Sequence, residues 1–110
     1  LPLYSEINWE DANCKGVETE VFYRIEEIRR PDPDIYIKPL RALCASCPIW
    51  AKCLSYATLH EFYGWWGGME TLERQSLMTT GKTATRDRVI QEFADLGITK
   101  KMIYEALEEN

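Results

Sequence analysis

Three cysteines stand within ten positions of one another in "LCASCPIWAKCL", residues 43–54, and a fourth lies well ahead of them. The spacing is Cys14, 29 residues, Cys44, two residues, Cys47, five residues, Cys53. A two-residue gap lets the Cys44 and Cys47 thiolates converge on one metal centre. The second close pair that zinc ribbons and treble clefs use, CxxC or CxxH, is absent from the sequence. One zinc ion would need four sulfurs at about 2.3 Å from a single point. A cubane iron–sulfur cluster is larger and takes one cysteine per corner, which tolerates irregular spacing. Cys47 also falls just before an expected helix, whose positive dipole end favours thiolates and an anionic cluster. Spacing alone therefore favours iron–sulfur but leaves zinc open, with two disulfides as a third reading.

The elements that must position these groups read as helices. "VETEVFYRIEEIRR" carries Val21, Phe22, Ile25 and Ile28 at helical spacing and stops at Pro31. "RPDPDIYIKP" is broken by prolines and reads as a loop that Ile35 and Ile37 anchor. Pro48 suits the first turn of a helix "PIWAKCLSYATLHEFY" ending at Gly64, on which Trp50, Cys53, Leu54 and Ala57 share one inward face. "GWWGG", residues 64–68, is too rich in glycine for helix or strand and must turn. A helix from Met69 to about Met78 follows, then two short helices over 84–96 and 99–109 that hinge at Gly97. Val89, Ile90, Phe93 and Leu96 line the first of these, Ile98, Ile103 and Leu107 face them from the second, and Thr99 caps it. Such a pair resembles a helix-turn-helix and would set Lys100 and Lys101 where recognition helices meet base edges. Two helices alone cannot bury their apolar faces, so they must pack on the rest of the chain or on a partner. The fold class is all-α.

Composition narrows the function further. The 110 residues suit one domain with a short appendage, and 45% of them are hydrophobic. A net charge of −5 argues against a basic surface for non-specific nucleic-acid binding and toward protein partners. Residues 81–110 carry five basic side chains against six acidic ones. No apolar run approaches a membrane span. The sequence opens on "LPLYSEINW", with neither a Met nor a Lys/Arg-led secretion signal, so an upstream start and a cytoplasmic compartment with reduced thiols are expected. Other chemistry is poorly supported. His60 is the single histidine and is expected on a helix surface. "TGKTAT" imitates a phosphate loop, but Ser76 stands where that motif needs its first Gly. "CASC" imitates a redox CxxC without the βαβ context. The enzyme alternative is a disulfide reductase using Cys44 and Cys47; the structural one is a zinc-stabilised module.

Trp9 ahead of Cys14, the pair Phe22-Tyr23, "CASCPIWAKCLSYA", the turn "GWWGG" and the following "ERQSL" resemble the WhiB-like family of actinobacteria and their phages. The likeness runs from residue 9 to about 77. It implies a [4Fe-4S] cluster on Cys14, Cys44, Cys47 and Cys53, and a transcription regulator that docks on the C-terminal domain of the primary sigma factor and modulates RNA polymerase. It also implies sensitivity of the cluster to nitric oxide or oxygen. Carried over, the docking residues are Trp9, Phe22 and Trp66, with Gly64, Gly67 and Gly68 shaping the turn; the alternative for Trp66 is to cover the cluster from inside. Trp65 stands where the family usually has a smaller aliphatic residue. The division expected is a cluster domain over residues 1–80 and a helical extension over 81–110. Many family members carry a basic, DNA-contacting tail there, which this chain lacks, so promoter DNA is a candidate partner through Lys100 and Lys101 alone.

Overall fold

A computed structural model of the chain describes residues 4–17, 33–60, 62–79 and 83–108, of which 33–36 in backbone only. The described residues are all-α: helices α1 (Pro33–Ala45), α2 (Trp50–Leu59), α3 (Thr71–Met78), α4 (Thr83–Asp95) and α5 (Lys100–Glu108), preceded by 3-10 turns at Tyr4–Glu6 and Trp9–Asp11. The helix expected over Val21 to Ile28, with Phe22, lies outside the described residues.

Helix α1 corrects the expected proline-broken loop. Pro33 occupies its first position, where a missing N–H costs nothing. Pro39 sits inside it and forgoes a ladder hydrogen bond. Burial outweighs that loss, because Ile37, Arg41 and Cys44 recur at helical spacing and all three are buried. Helix α2 is shorter than expected, from Trp50 to Leu59, and Trp50, Leu54 and Ala57 form its buried stripe as the spacing requires. Helix α3 starts at Thr71 instead of Met69, because Met69 pairs with Trp66 through two backbone hydrogen bonds of 3.0 and 3.1 Å. The Glu73 carboxylate then accepts the Glu70 N–H and closes the helix start.

The C-terminal helices pack on the rest of the chain: α5 against α2, and α4 against α3 and α5. Val89, Phe93, Ile98, Ile103, Ala106 and Leu107 join Ile37, Trp50, Leu54, Trp65, Met69 and Leu77 in one core. The α4–α5 turn closes as a Schellman motif, with Gly97 at φ +89°, Gly97 N–H to Ala94 O and Ile98 N–H to Phe93 O. Phe93 and Ile98 supply its buried contact, and Thr99 caps α5 by accepting the Met102 N–H at 3.2 Å. Leu96, expected in the helix face, is exposed instead, since the turn carries it past the end of α4.

Candidate metal centre

Cys14 follows the second 3-10 turn, Cys44 lies in the last turn of α1, Cys47 in the connection and Cys53 on α2. All four line one small cavity together with Trp9, Asn13, Leu43, Ile49, Trp50 and Gly67. None is in a disulfide; Cys44 is buried and the other three are half-buried. Asn13 brings the remote cysteine in. Its side-chain amide donates to Leu43 O at 2.9 Å and to Ser46 Oγ at 3.0 Å, and its backbone N–H reaches the Cys47 sulfur at 3.5 Å. Asn13 thus caps the C-terminal end of α1 from outside and seats Cys14 beside Cys47, a role the sequence reading missed.

Burial pushes the Cys44 thiol up to about 11 and the Cys53 thiol to about 12, and also raises Cys14. Backbone N–H groups of Gly67 and Gly68 oppose this by favouring the Cys53 and Cys44 thiolates. Any metal binding here must therefore expel protons. Four thiols with backbone N–H groups aimed at sulfur fit a thiolate-ligated, anionic centre. The sulfurs share a cavity without converging on a point: among the described residues no group of three or more His, Cys, Asp or Glu could hold one metal ion.

The "GWWGG" turn is pinned from four sides. Trp50 donates to Gly67 O at 2.8 Å, Arg41 to Gly68 O at 2.9 Å, Arg74 to Gly64 O at 2.8 Å, and Thr71 Oγ accepts the Gly64 N–H at 2.7 Å. Gly64, Gly67 and Gly68 all have positive φ. Gly67 lies directly on α2 at Leu54 and Gly68 on Cys44 and Phe93, so a side chain at either would intrude. Arg41, 1% exposed, also meets Glu73 at 3.0 Å and Glu92 at 2.7 Å, and Arg88 meets Glu73 at 3.1 Å. Nothing in the sequence marks Arg41 or Glu73 as buried; charged residues at helical spacing read as surface.

Beside the cavity Trp9 and Trp66 meet edge to face at 6.1 Å, and the aromatic group continues through Tyr56, Phe62, His60 and the exposed Tyr4. Trp66 is half-buried, with its N–H on Tyr63 O at 3.0 Å, whereas Trp65 is 4% exposed. The structure thus brings Trp9, Gly67 and Gly68 to the cysteines and sets Trp66 against Trp9, while Gly64 is held by Thr71 and Arg74. His60 is exposed, as expected, but stacks on Phe62. Lys100 and Lys101 stand exposed at the start of α5, outside the cavity, with Lys101 3.6 Å from Glu105.

Residues 9–77 match the protein-family model described as "Transcription factor WhiB". The chain is 34% identical over 68 residues to "Transcriptional regulator WhiD" of Streptomyces coelicolor, covering 61% of either protein. It is 33% identical to "Redox-responsive transcriptional regulator WhiB3" of Mycolicibacterium smegmatis, over 62% of this chain and 72% of that protein. With "Transcriptional regulator WhiB2" of Mycobacterium tuberculosis it shares 30% identity, over 70% of this chain and 81% of that one. No solved structure matches the chain significantly. Among the described residues no helix is long and apolar enough to cross a membrane.

Proposed function

Since this chain belongs to the WhiB family of transcription regulators, we propose that it holds a [4Fe-4S] cluster on Cys14, Cys44, Cys47 and Cys53 and docks on the C-terminal domain of the primary sigma factor. The carrying observation is that four thiols from distant parts of the chain line one cavity directly beside an aromatic surface. When bound, the cluster supplies a centre that nitric oxide or oxygen can attack, in keeping with the redox response named for WhiB3. The chain's own residues do the rest. Asn13 seats Cys14, Gly67 and Gly68 aim N–H groups at sulfur, and Trp9 and Trp66 form the docking surface, with Phe22, outside the described residues, as a further docking residue that the family resemblance implies. The protein acts as a non-enzymatic cytoplasmic regulator of RNA polymerase. Residues 1–80 carry cluster and docking surface; residues 81–110 form the extension, with promoter DNA as a further partner through Lys100 and Lys101.

The test is anaerobic purification followed by a pull-down with the sigma C-terminal domain. A brown protein with about four irons per chain is expected; a colourless zinc protein would refute the cluster. Cys14→Ala should lose iron as completely as Cys47→Ala, despite its distance in sequence. Trp66→Ala should keep the visible spectrum and weaken sigma binding by roughly 2 kcal/mol. If binding is lost only together with the cluster, Trp66 is an inner cover and not a docking residue.

A further inference from the structure

Three of the four thiols sit on backbone that is bonded where it stands. Cys44 belongs to α1, the Cys47 N–H meets Cys44 O at 3.1 Å, the Trp50 N–H meets Cys47 O at 3.1 Å and the Cys53 N–H meets Ile49 O at 2.9 Å. Around Cys14 the backbone bonds close inside one short segment: Ala12 N–H on Trp9 O, Lys15 N–H on Ala12 O and Val17 N–H on Cys14 O. Asn13 reaches out of that segment to α1. The two hydrogens of its amide go to Leu43 O at 2.9 Å and Ser46 Oγ at 3.0 Å, at the helix end where carbonyls lack ladder partners. Such a fork fixes the residue in position and in rotation. It leaves the Asn13 backbone N–H on the Cys47 sulfur at 3.5 Å.

We infer that Asn13 is a positioning residue for two ligands of the metal centre: its amide clamps the Cys14 segment to α1 and so keeps its backbone N–H on the Cys47 sulfur. Cys14 is the next residue in the chain, so the clamp holds its thiol at the cavity. With the clamp open, Cys14 is the first of the four to leave a bound metal, because the other three keep their own backbone bonds. On a loaded site the Asn13 N–H faces a thiolate, a stronger acceptor than a thiol. Hydrogen bonds to sulfur help set the potential of an iron–sulfur cluster, and this one raises it by favouring the more negative, reduced state.

This role rests on the cluster reading, and one experiment separates the two. Anaerobically loaded protein is treated with a chelator and quenched with iodoacetamide at intervals, and the four cysteines are followed by mass spectrometry. In Asn13→Ala, Cys14 should be alkylated ahead of the other three and several-fold faster than in the unmutated protein. The midpoint potential of the cluster should also be more negative. Ser46→Ala, which leaves Asn13 its bond to Leu43 O, should move both readouts the same way by less, and carries the test if Asn13→Ala does not fold. A lower urea midpoint with the release order and potential of the unmutated protein overturns the proposal, since Asn13 would then only cap α1. A colourless unmutated protein would instead refute the cluster, and the order of release from zinc would then test Asn13 by itself.

Discussion

Glycines with similar backbones carry unequal consequences in this fold. Gly67, Gly68 and Gly97 all have positive φ, yet only the first two lie against other atoms. A Cβ on Gly67 would fall 2.5 Å from Leu54 Cβ and 2.8 Å from its Cα, and neither atom can swing aside. On Gly68 it would meet Phe93 Cζ at 2.8 Å and Cys44 Cβ at 3.3 Å. A Cβ on Gly97 meets nothing within 4 Å. Gly97→Ala should therefore cost only the left-handed strain, about 1 kcal/mol, while Gly67→Ala adds overpacking and should cost roughly 2–4 kcal/mol. Urea midpoints of the two variants check this. Equal losses would mean that the turn is not pressed onto α2. The turn itself was legible from "GWWGG", but the packing was not, because composition says where a chain bends and not what it bends against.

The helices are tied together by charge as well as by apolar packing. Arg41 on α1 meets Glu73 on α3 and Glu92 on α4, and Arg88 on α4 returns to Glu73. Arg41 and Glu73 have side-chain exposures of only 1% and 2%. Removing one partner leaves the other charge buried, so Arg41→Met should cost roughly 3–5 kcal/mol. Glu73→Gln in that background should add much less than it does alone, because the stranded carboxylate is then gone. A double-mutant cycle by chemical denaturation measures this coupling, and additive losses would show the network to be inert. Helical spacing disclosed α2, α4 and α5 with ends within a few residues, since their apolar stripes decide their conformation. It failed for α1, where three prolines between 31 and 39 signal a loop. The buried stripe of Ile37, Arg41 and Cys44 overrides that local preference, and a stripe with arginine in it does not look apolar.

At the scale of the whole chain the C-terminal helices are structural partners of the cysteine-lined cavity. With the turn between them they supply six of the thirteen residues in the core cluster, and Phe93 closes on Gly68 and Trp50 behind the cysteines. Of the two destinations left open for their apolar faces, the described residues show the first, packing on the rest of the chain. Deleting residues 81–110 would strip Phe93 from Trp50, and Glu92 and Arg88 from Arg41 and Glu73. The truncated chain should fail to fold or to retain metal, so its loss of any activity would say nothing about DNA. Charge reversal is the cleaner probe. Lys100 and Lys101 are exposed, and Lys101 gains only a surface pairing with Glu105, so Lys100→Glu/Lys101→Glu should leave the thermal midpoint nearly unchanged. If α5 meets phosphates, the sigma complex of this variant should bind promoter DNA more weakly and with a shallower salt dependence than the unmutated complex. The acidic residues Glu105 and Glu108 on the same exposed side work against that contact. An unchanged affinity and salt slope, with the fold intact, would confine the helix-turn-helix likeness to packing and leave the aromatic surface as the functional contact.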